Sequence, residues 1–251
     1  MQKKDHEKFY IYGKHALMEA LTNAPRVVRK VFLSPEVNDP ALREMIAKRG
    51  ITPSVIKNRE ADHMVGSDTS HQGVIAVADP SALLIEFDAF MEKLQPTEQT
   101  LLVLLDELTD PHNVGAVIRS AAAFGAAGVL LPYYRQAPIT GAVVKSSAGM
   151  AFRVPIISIG NVNLTIDRLK KENFSVYGLA MHGAKELAEE PFDAPTLFIV
   201  GNEGKGIREK TLERCDVTLR IPMDPRCESL NASVSAGIAL YAWSARHKEV
   251  I

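Results

Sequence analysis

The sequence predicts an α/β protein made of two successive α/β domains. Apolar residues at helical spacing alternate with short apolar strands along most of the 251 residues. Residues 101–105 are apolar without interruption, as in a central parallel strand that is buried on both faces. Two later apolar runs are followed by polar, irregular turns at residues 201–206 and 228–233. Backbone groups in such turns are free to hold a ligand, so we expect both turns to form one site.

The first 80 residues are expected to form a compact α/β unit. Asp39 is the expected N-cap of its second helix, and Gly50 follows that helix as a stop signal. The expected elements, in order, are a helix over 11–22, a strand over 30–34, a helix over 40–49, a strand over 53–56, a helix over 59–64 and a buried strand over 73–78.

Residues 81–100 are interpreted as the linker between a domain at 1–80 and a domain at 101–251. An amphipathic segment with Phe87, Phe90, Met91 and Leu94 is followed by the polar breaker at residues 95–99.

The second domain is expected to be a doubly wound parallel sheet, whose ligands bind beyond the carboxyl ends of the strands. Asn113, Gly201 and residues 221–223 fall at such ends. The expected strands are 101–105, 128–132, 154–159, 174–180 and 196–200, and the expected helices are 114–125, 139–149, 163–172 and 231–247.

Composition limits the class of protein. No apolar run is long enough to cross a bilayer, and the charged N-terminus lacks the apolar core of a secretion signal, so a cytoplasmic protein is expected. The two cysteines, Cys215 and Cys227, lack metal-binding spacing and are expected to be reduced thiols. Residues 1–60 carry 12 Lys/Arg against 7 Asp/Glu, a net of +5. This excess fits either an RNA-binding front domain or ordinary surface asymmetry.

Several candidate chemistries are excluded or left open. Residues 201–206 match neither the Walker A motif nor the dinucleotide-binding glycine motif. Asp106, Glu107 and Asp110 would suit a metal or acid–base chemistry, but solvated loop carboxylates are the preferred interpretation, and no metal is expected. His112 is interpreted as a turn or cap residue rather than a base. Arg119 lies in a helix of small and apolar residues, and is either an ordinary exposed arginine or a ligand for a carboxylate or phosphate.

Three motifs occur together in a defined order. They are residues 113–121 with Asn113 and Arg119, residues 201–207 with Glu203, and residues 221–233 with Ser229 and Asn231. In that order and spacing they resemble the SpoU (TrmH) family of RNA ribose 2′-O-methyltransferases of the SPOUT superfamily. The resemblance covers residues 101–247, and residues 1–80 look like the L30e-like substrate-binding domain of the same family.

The resemblance implies a C-terminal SPOUT α/β domain with a trefoil knot, S-adenosylmethionine as methyl donor, and a homodimer packed through the knot region, with helix 232–245 as a candidate interface. It implies methylation of RNA, most closely of a guanosine in 23S rRNA. A transfer RNA or another rRNA site, and a non-catalytic RNA-binding factor that holds the cofactor, remain alternatives. The implied cofactor-binding residues are Gly201, Ile221, Leu230, Leu179 and Met223.

The resemblance also implies the catalytic residues, which are Arg119, Asn113, Glu203, Ser229 and Asn231. Arg119 matches the family's catalytic arginine, but a guanidinium is a poor base because its pKa is above about 12. Stabilising the developing alkoxide while holding the adjacent phosphate is the preferred role, and the role of base stays open.

Overall fold

The computed structural model describes residues 8–66 and 69–250. The N-terminal segment 1–7 lies outside the described residues, and it carries two Lys against one Asp and one Glu, so the predicted basic excess of +5 falls on residues 8–60. The described chain forms two compact units. Unit 1 contains the described part of Met1–Leu84 together with Ile139–Arg153, and unit 2 contains Ile85–Pro138 and the described part of Val154–Ile251.

Strands and helices alternate along both units. The strands are β1 Phe9–Tyr12, β2 Val28–Leu33, β3 Ser54–Val55, β4 Val74–Ala78, β5 Leu84–Glu86, β6 Leu101–Asp106, β7 Gly128–Pro132, β8 Ile156–Ile159, β9 Ser175–Leu179, β10 Lys185–Glu186, β11 Thr196–Gly201 and β12 Val217–Arg220. The α-helices are α1 Lys14–Asn23, α2 Pro40–Lys48, α3 Asn58–Val65, α4 Phe87–Met91, α5 Pro111–Ala123, α6 Gly141–Ser146, α7 Val162–Lys171, α8 Glu209–Leu212 and α9 Ala232–Arg246.

Unit 1 is built on a four-stranded sheet with the order β1-β4-β2-β3. Strand β4 pairs antiparallel with β1 and β2, while β3 runs parallel to β2. Helices α1 and α2 bury Leu17, Leu21, Leu42 and Ile46 at helical spacing. The predicted N-cap of α2 is confirmed, because Asp39 accepts a 2.9 Å hydrogen bond from the backbone N–H of Leu42.

The segment Ile139–Arg153 belongs to unit 1 although it lies far along the chain. Helix α6 packs directly on β1, since a Cβ added at Gly141 would lie 2.2 Å from the carbonyl oxygen of Tyr10. Arg153 donates two hydrogen bonds, of 2.7 and 2.8 Å, to the carboxylate of Glu19 on α1, and these lower the pKa of Glu19. The structure therefore differs from the predicted domain at 101–251, which included helix 139–149.

Unit 2 is built on an eight-stranded sheet with the order β10-β12-β9-β11-β6-β7-β8-β5. Every pair from β10 to β8 in that order is parallel. The core between this sheet and its helices includes the fully buried side chains of Leu104, Ile157, Ile166 and Ile199. The predicted α/β class with a parallel sheet is confirmed. The trefoil knot stays a prediction.

Two element predictions were wrong. Ile11 belongs to β1 and not to the first helix, which begins only at Lys14. The predicted linker 81–100 contains a strand and a helix of its own: β5 is one of the two edge strands of the eight-stranded sheet, and Phe87 of α4 is buried in the core of unit 2. The polar breaker at residues 95–99 misled the assignment, since it marks a loop inside unit 2. Within the described part of the chain, no helix is both long and apolar enough to cross a bilayer.

Candidate active site

The candidate site of unit 2 lies where the order of its parallel strands reverses. From β6 the chain adds β7 and β8 on one side and then continues with β9 and β11 on the other. The carboxyl ends of β6 and β11 therefore diverge into separate loops at a topological switch point, where α/β sheets bind ligands. The loop after β6 leads into α5, and the loop after β11 contains residues 202–206.

A cavity of about 500 Å³ opens at this edge of the sheet. Its volume falls in the range of pockets that bind small molecules, about 300–1,000 Å³. The structure brings together all five residues that the sequence predicted for the cofactor, and they line the cavity: Leu179, Gly201, Ile221, Met223 and Leu230. Glu203 and Ser229, from the predicted catalytic set, also line it.

Glu203 is the acceptor at the centre of a hydrogen-bond network beside the cavity. Its Oε1 accepts from the side-chain amide of Asn113 at 3.1 Å and from the backbone N–H of Asp110 at 3.3 Å. Its Oε2 accepts from the side-chain amide of Asn202 at 3.3 Å. The Glu203 carboxylate, which can only accept hydrogen bonds, thus joins the loops after β6 and β11. These strands end at Asp106 and Gly201, which are 95 residues apart in the sequence.

Asn231 fixes the direction of this network. It is the N-cap of α9, and its Oδ1 accepts from the backbone N–H groups of Ser233 and Val234 at 2.8 and 3.3 Å. Its Nδ2 must therefore point away from the helix, and it donates to Oδ1 of Asn113 at 3.0 Å. Asn113 is left with its own Nδ2 to donate to Glu203, so the helix cap determines the amide orientation of both asparagines.

Gly201 occupies a position where a side chain has no room. A Cβ there would lie 2.3 Å from the backbone nitrogen of Ile207 and 2.4 Å from the carbonyl carbon of Gly206. The strand end and the following turn are this close because Asn202 and Gly206 exchange two backbone hydrogen bonds of 3.0 and 2.9 Å. Glycine at 201 therefore permits the compact turn that forms one wall of the cavity.

The prediction that the loop carboxylates are solvated was wrong for Asp106. Its side chain is fully buried, and it accepts from Nε of Arg208 at 2.9 Å and from the backbone N–H of Arg208 at 3.2 Å. The side-chain hydrogen bond to Asp106 raises the pKa of the Arg208 guanidinium. Glu107 is also paired, with its Oε1 3.3 Å from a guanidinium nitrogen of Arg208. Asp110 caps α5 through the backbone N–H of His112.

Arg119 and Ser229 are the predicted catalytic residues outside this network, and of these two only Ser229 lines the cavity. Arg119 lies six residues after Asn113 on α5, so the two side chains leave the helix in different directions. Asn113 is buried, whereas Arg119 is exposed and makes no hydrogen bond or ion pair within the described residues. It is not among the residues that line the cavity.

Sequence reasoning missed two contributors to the site. Asn202 donates to the carbonyl oxygen of Glu107 at 2.8 Å and accepts from the N–H groups of Gly204 and Lys205, which shapes the turn. Arg208 anchors the end of the same turn to β6. An asparagine at the start of a glycine-rich turn was a usable signal for the first. The pairing of Arg208 with a residue 102 positions away left no local signal.

Two family models match the chain. The model of the SpoU rRNA methylase family matches residues 100–241, and the model for RNA 2′-O ribose methyltransferase substrate binding matches residues 10–84. The chain belongs to the SpoU rRNA methylase family. The resemblance seen in the three sequence motifs is thereby confirmed.

Curated relatives and solved structures agree with this membership. The chain is 36% identical to the 23S rRNA (guanosine-2′-O-)-methyltransferase RlmB of Pseudomonas syringae pv. tomato, over 92% of this chain and 93% of the relative. It is 35% identical to RlmB of Coxiella burnetii, with coverage of 92% and 93%. The fold is similar to the SpoU methyltransferase AviRb from Streptomyces viridochromogenes in complex with the cofactor AdoMet. The TM-score is 0.80 at 24% identity, covering 96% of this chain and 91% of AviRb.

Proposed function

We propose that the protein transfers a methyl group from S-adenosylmethionine to the ribose 2′-hydroxyl of a guanosine in 23S rRNA. The main support is the cavity, which is lined by all five predicted cofactor residues and flanked by the Glu203 network. Relatives at 35–36% identity over nine-tenths of the chain are named for this reaction. An rRNA substrate would place the activity in the cytoplasm.

The residues of the cavity fit S-adenosylmethionine. Apolar side chains of Leu179, Ile221 and Leu230 offer walls for an adenine ring. The backbone groups of Leu230 make no hydrogen bond within the described residues, so they are available to the edge of that ring. The absent Cβ at Gly201 leaves room beside the strand end for a ligand to approach the backbone. When bound, the cofactor supplies an electrophilic methyl group on a sulfonium.

The chain's own residues would orient and stabilise the nucleophile. Glu203 and Asn113 are held by the α9 cap in one orientation, so they present a fixed polar wall to a nucleotide. Ser229 lines the cavity and offers a hydroxyl to the same nucleotide. Arg119, whose guanidinium has no partner in the described chain, would stabilise the alkoxide that develops at the ribose oxygen.

The position of Arg119 supports a homodimeric site. Within one chain this arginine is outside the cavity lining. Helices α5 and α9 pack together, and α9 exposes an apolar stripe of Val234, Ile238 and Tyr241 beside α5, with Tyr241 in an edge contact with Phe124. We propose that a second copy packs on this stripe and that Arg119 of one protomer completes the cavity of its partner.

Methylation of an unmodified 23S rRNA transcript tests the function. We expect tritium transfer from labelled S-adenosylmethionine, with 2′-O-methylguanosine found after nuclease digestion. Arg119→Ala should lower kcat by about a hundredfold to a thousandfold, the scale of removing one transition-state donor, while the cofactor still binds. Arg119→Lys is the matched control that keeps the charge. Methyl transfer to tRNA alone would overturn the rRNA assignment, and cofactor binding without any transfer would favour the non-catalytic RNA-binding factor.

Mixing two inactive variants tests the shared site. Arg119→Ala lacks the arginine, and Gly201→Val lacks room for the turn that bounds the cavity. If each site combines both chains, random exchange of protomers should restore about a quarter of the wild-type rate, because half of the dimers are mixed and each has one intact site. No recovery, with exchange shown by light scattering and differential tags, would mean that each chain builds its own site.

A further inference from the structure

The loop that follows β7 presents an aromatic ring and an arginine to solvent. Tyr134 is 77% exposed and makes no hydrogen bond or ring contact within the described part of the chain. The side chain of Arg135 is 77% exposed, and its contact with Glu107, an N–O distance of 3.5 Å, is long. Since Glu107 also lies 3.3 Å from Arg208, this carboxylate neutralises Arg135 only partly.

Hydrogen bonds anchor this loop on both sides of Tyr134 and Arg135. The hydroxyl of Tyr133 donates to the carboxylate of Glu86 at 2.8 Å, which holds the start of the loop. The side chain of Gln136 accepts from the backbone N–H of Leu108 at 3.0 Å, and Ala137 donates to the carbonyl oxygen of Leu108 at 2.9 Å. Tyr134 and Arg135 therefore lie on a segment of backbone that is held in place at both ends.

Backbone strain points to the same segment. Arg135 has a φ of 56° and Glu107, on the loop it contacts, has a φ of 64°. The left-handed region is unfavourable for a residue with a Cβ, and such conformations concentrate at functional sites. Hydrogen bonds and an ion pair that join residues 107–108 to residues 135–137 hold both loops in this unfavourable backbone conformation.

The loop lies beside the candidate active site. Strand β7 is next to β6, and β6 is next to β11, so their carboxyl ends lie along one edge of the sheet. Adjacent strands are about 4.8 Å apart, which places the end of β7 about 10 Å from the end of β11. Leu108, to which the loop is hydrogen-bonded, belongs to the loop that leads to Asn113. A nucleotide next to the one whose ribose enters the site can therefore contact the loop after β7.

We propose that Tyr134 and Arg135 form a platform for single-stranded RNA, on which the base next to the methylated nucleotide stacks while Arg135 pairs with a phosphate. This inference rests on the proposed function for its substrate. Exposed aromatic rings and guanidinium groups are the side chains on which unpaired RNA bases stack, and a guanidinium matches phosphate oxygens in a bidentate manner. Tyr134 positions the RNA and takes no part in the transfer itself.

The test uses the full-length protein and the unmodified 23S rRNA transcript. Tyr134→Ala should raise the RNA Kd and the KM about tenfold, within the range known for base–aromatic stacking, with kcat and cofactor affinity unchanged. Tyr134→Phe keeps the ring and should behave as the wild type. Arg135→Ala should reduce the slope of log Kd against log salt by about 0.7, the value for one phosphate of a single strand. Thermal unfolding of each variant checks that the loop change is local.

Lys171 provides a matched charge control. Lys171 is exposed at the C-terminal end of α7, just before the start of β9. It therefore lies near the amino ends of the parallel strands, whereas the site lies at their carboxyl ends. Lys171→Ala should leave RNA affinity and its salt slope unchanged.

The platform is overturned if Tyr134→Ala binds the transcript like the wild type, if Tyr134→Phe is as weak as Tyr134→Ala, or if kcat falls at constant KM. If the wild type binds the transcript but transfers no methyl group, the proposed function fails, while the RNA Kd of these variants still decides the platform.

Discussion

The buried ion pair between Asp106 and Arg208 makes an asymmetric prediction. The Asp106 carboxylate is 0% exposed, whereas the Arg208 side chain is 42% exposed. Removing either residue deletes the 2.9 Å hydrogen bond from Nε of Arg208, and the 3.2 Å hydrogen bond from the backbone N–H of residue 208 remains in Arg208→Ala. The two deletions leave different groups behind: Arg208→Ala leaves a charge inside the protein, and Asp106→Asn leaves a guanidinium that water can solvate.

The expected magnitudes follow from this difference. Arg208→Ala should lower the free energy of unfolding by about 3–5 kcal/mol, the cost of an uncompensated buried charge. Asp106→Asn should lower the free energy of unfolding by about 1–3 kcal/mol, because the new amide N–H group is buried beside the N–H donors of Arg208 and has no acceptor. In the double variant no buried charge remains. We therefore expect it to be more stable than Arg208→Ala alone, by about 1–2 kcal/mol.

Urea denaturation at pH 7, followed by the fluorescence of Trp243, measures these values. Trp243 is the single tryptophan and is fully buried on α9 of unit 2, so it reports the unit that holds the ion pair. Glu213→Gln, an exposed carboxylate in the segment after α8, serves as a control for general charge effects. Equal costs for the two single variants, or strictly additive costs in the double variant, would refute the reasoning from desolvation.

Three further predictions concern other positions. Gly201→Ala should weaken S-adenosylmethionine binding at least tenfold by calorimetry, because its Cβ would lie 2.3 Å from backbone of the following turn. A thiol reagent should modify exposed Cys227 in the native protein and Cys215 only after unfolding, since burial raises the pKa of Cys215 to about 12; two native equivalents would contradict this. The Ser81 hydroxyl, and then Arg29, lower the pKa of Asp79 to about 2. The ionised Asp79 carboxylate should stabilise the fold fully above pH 4, and this contribution should be lost as the pH falls towards 2. In urea titrations, Asp79→Asn should therefore lower the free energy of unfolding at pH 6 and have little effect on it at pH 2.

Local signals predicted most of the elements correctly. The bounds of β7 agree with the predicted strand 128–132, and α9 begins directly after its N-cap Asn231, as the polar turn before it indicated. Such features depend on residues that are neighbours in the sequence, so spacing and capping chemistry are sufficient. The cofactor set, with Gly201 among its members, was predicted from a resemblance that rests on motif order.

The sequence by itself determined the α/β class, the polar turns and the types of side chain available to the site. Tertiary structure alone decided that Ile139–Arg153 joins unit 1, that Asp106 is buried, and that Arg119 is not among the residues that line the cavity of its own chain. The physical reason is that burial and pairing depend on contacts between distant segments. Periodicity records which face of an element is apolar, but not which partner covers it.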